Sequence, residues 1–336
     1  MTLKFPKYHI PKELLDRPQD IIVLGLGKHE MIIRISDWPT KGGQSNVDIE
    51  TINHHAGGSG MNVAATVARL GGHSALIASL GAGEYGQTVY NEMVKSKINT
   101  KYVKRIDGAA GSLLVILTRS DGDWTVMQSN DQNINLSIPQ LPQISALENF
   151  KILHIDGYLY IDQNQRPIVE EAIWRARQAN CLISIDTSIP ATEIHSEYVL
   201  SLFSKCDIVF LNKLEAINLT KTKSDHDLTE SLQNLDVPLI ILKLGDKGST
   251  VISNLDLGSI PAFDVPIADT IGAGDNYAGA MLLGLCQDYP LHQSLLWGAA
   301  AGSLACLGHG SLSHRYTLTD IKESIKSQNV HPHQQL

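Results

Sequence analysis

Five short apolar runs limit how this chain can fold: A-L-I-A-S-L at 75–80, K-I-L-H-I at 151–155, C-L-I-S-I-D at 181–186, C-D-I-V-F-L-N at 206–212 and P-L-I-I-L-K-L at 238–244. Most are followed by a helix-like segment, and I-I-V-L at 21–24 opens the series just before a group of glycines. Runs that stay apolar at successive positions suit strands covered on both faces, and strands separated by helices run parallel. The pattern predicts an α/β fold with a doubly wound, mainly parallel sheet flanked by helices. Ligands of such sheets bind beyond the carboxyl ends of the strands, so functional residues are expected just after these runs.

Two segments break the rhythm. Residues 31–55 carry short alternating runs, M-I-I-R-I-S and S-N-V-D-I-E-T-I, broken by Asp37-Trp38-Pro39 and Gly42-Gly43. Residues 112–128 behave likewise, with Asp121-Gly122 as a hairpin signal. Together they predict half-exposed antiparallel strands forming a small sheet inserted into the larger one. The expected organisation is an N-terminal extension at 1–19, a main domain at 20–325 and a tail at 326–336. At 336 residues, 43% hydrophobic and 18% charged, the chain has the composition of a folded globular protein. A formal charge of -8 without a basic cluster gives no footprint for nucleic acid or an anionic membrane, and no apolar run approaches a membrane span. The N-terminal stretch lacks an apolar signal core, so a cytoplasmic location is expected. Cys181, Cys206, Cys286 and Cys306 are too scattered for a zinc site or disulfide framework, and no histidine pair has metal-ligand spacing beside an acidic partner.

Two motifs carry the chemistry. A-G-G-S-G-M-N at 56–62 offers glycines for close backbone approach, followed by Asn62 and a helix rich in small residues. D-T-I-G-A-G-D-N-Y-A-G at 269–279 offers the successive amides of Gly272, Ala273 and Gly274 at a helix N-terminus, where an anion such as a transferring phosphate is favoured. A carboxylate at Asp275 would repel that phosphate if it only sat there, so accepting the proton of an attacking hydroxyl is its better use. Each motif also has a plain structural reading: a packed glycine turn for the first, a helix-capping aspartate for the second.

In this order, about 200 residues apart, the two stretches resemble the hallmark motifs of the ribokinase-like (PfkB-type) carbohydrate kinases. N-K-L-E at 212–215 resembles that family's N-x-x-E motif, and K-L-G-D-K-G at 243–248 its nucleotide loop. The resemblance runs from about residue 20 to about 325. It implies an ATP-dependent sugar kinase with a β-sheet lid at 31–55 and 112–128. By the same resemblance, Asp275 is the catalytic base, and the amides of Gly272, Ala273 and Gly274 form the anion hole. Glu30, Gly58, Ser59 and Asn62 match positions that contact the sugar, Asp156 is a weaker match, and Lys28 is a sugar-site candidate from outside the family pattern. Asn212, Glu215, Lys243, Gly245 and Gly248 serve the nucleotide, with Glu215 reaching Mg2+ through water, and Asp269 and Thr270 flank a monovalent cation, K+. A homodimer through the lid is also implied.

The sequence departs from the family in G-L-G-K-H-E at 25–30, where Glu30 stands for the usual aspartate and brings Lys28 with it. Lys28 either neutralises Glu30 or pairs with an anionic group on the substrate. The default acceptor is a neutral ketose or pentose such as fructose or ribose. An acidic, sulfo- or phospho-sugar is the runner-up, on Lys28 with Arg34 and Arg119, followed by a nucleoside. A catalytically silent ligand-binding regulator is the non-enzymatic rival. G-A-G-E-Y-G at 81–86 fits a dinucleotide fingerprint, with Asp107 about 20 residues on, but no clean helix is evident between them. It is expected to be an ordinary turn.

Overall fold

The computed structural model describes residues 5–40, 46–120, 124–129, 134–222 and 224–328. The Gly42-Gly43 and Asp121-Gly122 turn signals and the final eight residues lie outside them. The strands are β1 (Gln19–Leu24), β2 (Lys28–Ile35), β3 (Ile49–Gly57), β4 (Ser74–Gly81), β5 (Val103–Ile106), β6 (Leu113–Thr118), β7 (Trp124–Gln128), β8 (Phe150–Ile155), β9 (Leu182–Asp186), β10 (Ile208–Asn212), β11 (Leu239–Lys243), β12 (Ser249–Ile252) and β13 (Leu257–Ile260). Among the described residues nine of them form one sheet in the order β13-β12-β11-β10-β9-β8-β1-β4-β5, parallel except for the β12–β13 edge hairpin. The apolar runs are its inner strands, and alternation within β1 divides the core. Ile21 and Val23 pack under the helices Ser59–Arg69, Ala273–Cys286 and Leu291–Ala305, while Ile22 and Leu24 face the layer that includes Arg166–Gln178.

The chain leaves β1 in both directions across the sheet, to β4 on one side and β8 on the other. The carboxyl ends of β1, β8, β9, β10 and β11 therefore open one crevice, with Asp156, Asp186, Asn212 and Lys243 at or just past the strand ends. That is where such sheets bind ligands.

The inserted sheet has the order β3-β2-β6-β7. It is mixed rather than wholly antiparallel, because two antiparallel hairpins from distant segments meet through a parallel β2–β6 pairing. Lys28, Glu30 and Ile32 alternate onto the face that also bears Leu114, Ile116 and Gln128. Residues ahead of β1 do more than extend from it, since Ile10 and Leu14 are buried in the core.

The G-A-G-E-Y-G stretch opens a genuine helix, Glu84–Lys95, which leads to β5. The absence of a helix expected from the sequence is thus corrected: Gly86, Val89 and Met93 provide its buried face at helical spacing. The glycines serve packing instead of a nucleotide, since a Cβ on Gly81 would lie 2.4 Å from the Gly111 amide nitrogen.

At the opposite end of the sheet from the crevice, Lys151 at the start of β8 donates to Asp20 Oδ1 at 2.8 Å and to the Cys286 carbonyl at 3.0 Å, both side chains being buried. Removing one partner of such a pair strands a charge. Lys151→Met is expected to lower the unfolding free energy by about 3–5 kcal/mol in urea titration, with Asp20→Asn on the same background recovering part of the loss.

Candidate active site

Two helices carry the reactive groups, and their closeness is set by a glycine. Gly279 packs against the helix Ser59–Arg69, where a Cβ would stand 2.8 Å from the Val63 carbonyl oxygen and 2.9 Å from Thr66 Cβ. This contact brings Asp275, in the first turn of one helix, to Ser59 and Asn62, in the first turn of the other. Ser59 Oγ donates to Asp275 Oδ1 at 2.8 Å and Asn62 Nδ2 donates to Oδ2 at 2.7 Å. Asp275 is therefore no helix cap, and both its oxygens are oriented by side chains of the other motif. Burial at the cleft floor pushes its carboxyl up to about 7, and Asp186 adds to the rise, while Ser59 and Asn62 hold it back.

Gly272, at φ +74°, turns the chain into the helix beginning at Ala273. The Ala273 amide donates to Thr270 O at 3.3 Å, whereas among the described residues the amides of Gly274 and Asp275 have no hydrogen-bond partner. These donors and the positive helix end suit an anion. Lys243, at the end of β11, faces the same spot. Its Nζ is 3.1 Å from where a Cβ on Gly274 would be and donates to both oxygens of Asp186 at 3.0 Å. Burial presses the ammonium toward losing its proton, but Asp186 and Glu215 outweigh that and its pKa is raised.

Asn212 and Glu215 form a reciprocal helix cap: Asn212 Oδ1 accepts from the Glu215 amide, and Glu215 Oε2 accepts from the Asn212 amide at 2.8 Å. Thr187 Oγ1 also donates to Oε2, at 2.6 Å. Glu215 lines the cavity with Oε1 outside these bonds, a donor set that suits a magnesium ion held largely by water and phosphate. Burial raises its pKa, and Lys243 opposes the rise.

Three cavities adjoin along the crevice. One of about 610 Å³ is lined by Lys28, Glu30, Ser59, Asn62, Glu215 and Asp275, among others. Its neighbour of about 370 Å³ contains Lys243, Gly245, Gly248, Phe263 and Tyr277 and meets it at Thr270 and Gly274. A third, of about 330 Å³, meets the large cavity on the lid side through Leu26, Lys28, Gln128 and Tyr158.

Some expected site residues stand elsewhere or do something else. Asp156 is fully buried, lines none of these cavities and accepts the amides of Leu26, Gly60 and Tyr158 at 2.8–3.0 Å, pinning β1, β8 and the glycine turn together. Asp269 also lies off the cavities, where it accepts from Ile271 N at 2.9 Å and Gly310 N at 2.7 Å and so fixes the 269–271 loop against the Gly310 turn. Glu30 is held by Ser311 Oγ and the Gly58 amide, and burial raises its pKa. Lys28 does not answer it; its Nζ donates to Gln128 Oε1 at 2.8 Å. Arg34 and Arg119 pair with Glu50 and Asp37 on the lid, away from the cavities. Asp186, Ser311, Asn276 and Gln128 were not singled out in the sequence. Only Asp186, at the end of a predicted strand, left a signal there.

A family model described as "pfkB family carbohydrate kinase" matches residues 21–315. Fructokinase-2 of Solanum lycopersicum is 25% identical over 302 residues, covering 86% of this chain and 92% of its own. Among solved structures, adenosine kinase from Sinorhizobium meliloti superposes with TM-score 0.81 at 21% identity, covering 91% of this chain and 99% of that one. Arabidopsis thaliana ribokinase complexed with ribose and ATP superposes with TM-score 0.75 at 20% identity, covering 92% and 99%.

Proposed function

The chain belongs to the pfkB family of carbohydrate kinases and is a phosphotransferase, and we propose that it transfers the γ-phosphate of Mg-ATP to a hydroxyl, the primary one where the acceptor has one, of a small sugar or sugar derivative. The observation that carries this reading is Asp275, oriented by Ser59 and Asn62 beside the two unpartnered amides of the anion pocket.

In this reading the nucleotide enters through the 370 Å³ cavity, whose Phe263 and Tyr277 offer an apolar slot and whose glycines admit close backbone approach. Its γ-phosphate reaches the amides of Gly274 and Asp275, with Lys243 drawn from Asp186 toward the transferring group. Asp275 takes the acceptor's proton as the new oxygen–phosphorus bond forms and the bond from the γ-phosphorus to the bridging oxygen breaks, releasing ADP, and the amides and Lys243 stabilise the charge on the phosphoryl oxygens. Bound Mg2+, held by Glu215 through water, would neutralise the phosphate chain. A monovalent cation near Asp269 and Thr270 would act on the anion pocket only through the 269–271 loop. The lid covers the acceptor with Leu114, Ile116 and Val126, which keeps competing water from the phosphate.

The fructokinase name of the tomato relative supports a ketose as a default acceptor; a nucleoside is the less favoured alternative. Apolar Met31, Ile33, Val115 and Met127 alternate onto the lid's outer face, with Ile52 50% exposed and Met127 52% exposed. This face suits a second copy of the chain, which supports a homodimer. A silent regulator would have no use for a carboxylate aligned beside an empty amide pocket.

Asp275→Asn is expected to lower kcat by about 10²–10⁴-fold while nucleotide binding persists, measured by ATP turnover against a sugar panel. Near wild-type turnover in that variant would sink the assignment, and no turnover in either protein would favour the regulator. Because the base works only when deprotonated and its pKa stands at about 7, log kcat/KM should rise with unit slope below that pH and level off above it.

A further inference from the structure

A lysine partly withdrawn from water, as half-buried Lys28 is, normally meets a carboxylate, since an unpaired charge is costly to desolvate. Lys28 does not follow this rule. Its one hydrogen bond is to the neutral amide of Gln128, on the opposite lid hairpin, and among the described residues no carboxylate oxygen comes within ion-pair distance of it. The nearby Asp156 acts on it only at longer range, and its oxygens already accept three backbone amides. No other lysine or arginine among the described residues lines the 610 Å³ cavity or the 330 Å³ cavity beyond it. Lys28 and Gln128 stand on the boundary between the two.

The far cavity combines an apolar side, with Ile134, Leu136, Leu159 and Ile161, and a polar one. Ser112, Ser129, Asn135 and Asn164 contribute hydroxyls and amides to it, with Asp162 as its only carboxylate among the described residues. These groups complement a polar substituent and solvate an anion at Lys28 without competing for it.

We propose that the acceptor carries an anionic group at the end opposite its reactive hydroxyl, bound by Lys28 where the two cavities meet: a sugar carboxylate, sulfonate or phosphate rather than a neutral sugar. This rests on the kinase reading and narrows it. The hydroxyl end lies at Asp275, Ser59 and Asn62, the anion displaces the Gln128 amide from the ammonium, and Gln128 turns to donate to the same anion. Selectivity then comes from one charge, because a neutral acceptor leaves Lys28 with only its amide.

The test compares kcat/KM for matched neutral and anionic acceptors, fructose against its 1- and 6-phosphates and glucose against gluconate, in wild type, Lys28→Gln and Lys28→Arg. The anionic member of a pair should be preferred in wild type. The anionic-to-neutral ratio should fall about 100-fold in Lys28→Gln and largely return in Lys28→Arg. Should Lys28→Gln fail to fold, Gln128→Glu, which sets a fixed carboxylate against Lys28, should lower the same ratio. Preference for fructose or glucose over every anionic partner, or a ratio unmoved by these variants, overturns the proposal while leaving the kinase reading intact. Absence of turnover with every acceptor would instead strike the kinase reading. In that case thermal shifts with gluconate and the sugar phosphates, lost in Lys28→Gln, would still support the anion site, and their absence in wild type would overturn it.

Discussion

The buried carboxamide of Asn276 is the interaction on which the site's geometry depends. Its Oδ1 accepts from Thr66 Oγ1 at 2.9 Å and Tyr316 OH at 2.6 Å, and its Nδ2 donates to Gly272 O at 2.8 Å and Ser311 O at 3.1 Å. One side chain therefore ties together the helix bearing Ser59 and Asn62, the glycine turn of the anion pocket, and the loop whose Ser311 holds Glu30. Every donor and acceptor of the group is used, which is the condition under which a buried polar network specifies one arrangement instead of weakening the core. The residue directly after the reactive carboxylate is thus spent on holding the backbone around it.

The sequence disclosed what rests on local pattern and concealed what rests on distant partners. The inner strands were legible because each is apolar on both faces. The edge strand β5 was legible only weakly and the β12–β13 hairpin not at all, since each of these strands is just four residues long. Ser59, Asn62 and Asp275 stood out because each sits in a compact run of glycines and small residues at a helix start. Ser311 lies in an unremarked loop and reaches Glu30 across 281 positions, and Gln128 reaches Lys28 across 100. No spacing rule links residues so far apart. Asp156 stood out by its place after a strand end, whereas the three backbone amides its oxygens accept, from Leu26, Gly60 and Tyr158, left no sign in the sequence.

Charge in the crevice is arranged by position along it. At the end lined by Gly245 and Gly248, the Lys243 ammonium is compensated by Asp186 and influenced by Glu215, so Asp275 feels both a repelling carboxylate and a restraining cation. At the lid end Lys28 faces only an amide. The same residue type thus has two settings. Lys243 has a carboxylate partner in Asp186, and Lys28 has none among the described residues.

The three residues Gly25, Leu26 and Gly27 are all that separate β1 from β2, the lid strand bearing Lys28 and Glu30. A Cβ on Gly25 would lie 2.8 Å from Gly60 Cα, so this link is pressed against the glycine turn of the other motif with no slack to absorb an insertion. The cover and the acceptor-reading side chains therefore share one mechanical anchor. A change in β2 that alters the cavity lining will therefore also alter how the cover sits, and β6, paired to β2 from His29 to Arg34, shares that constraint.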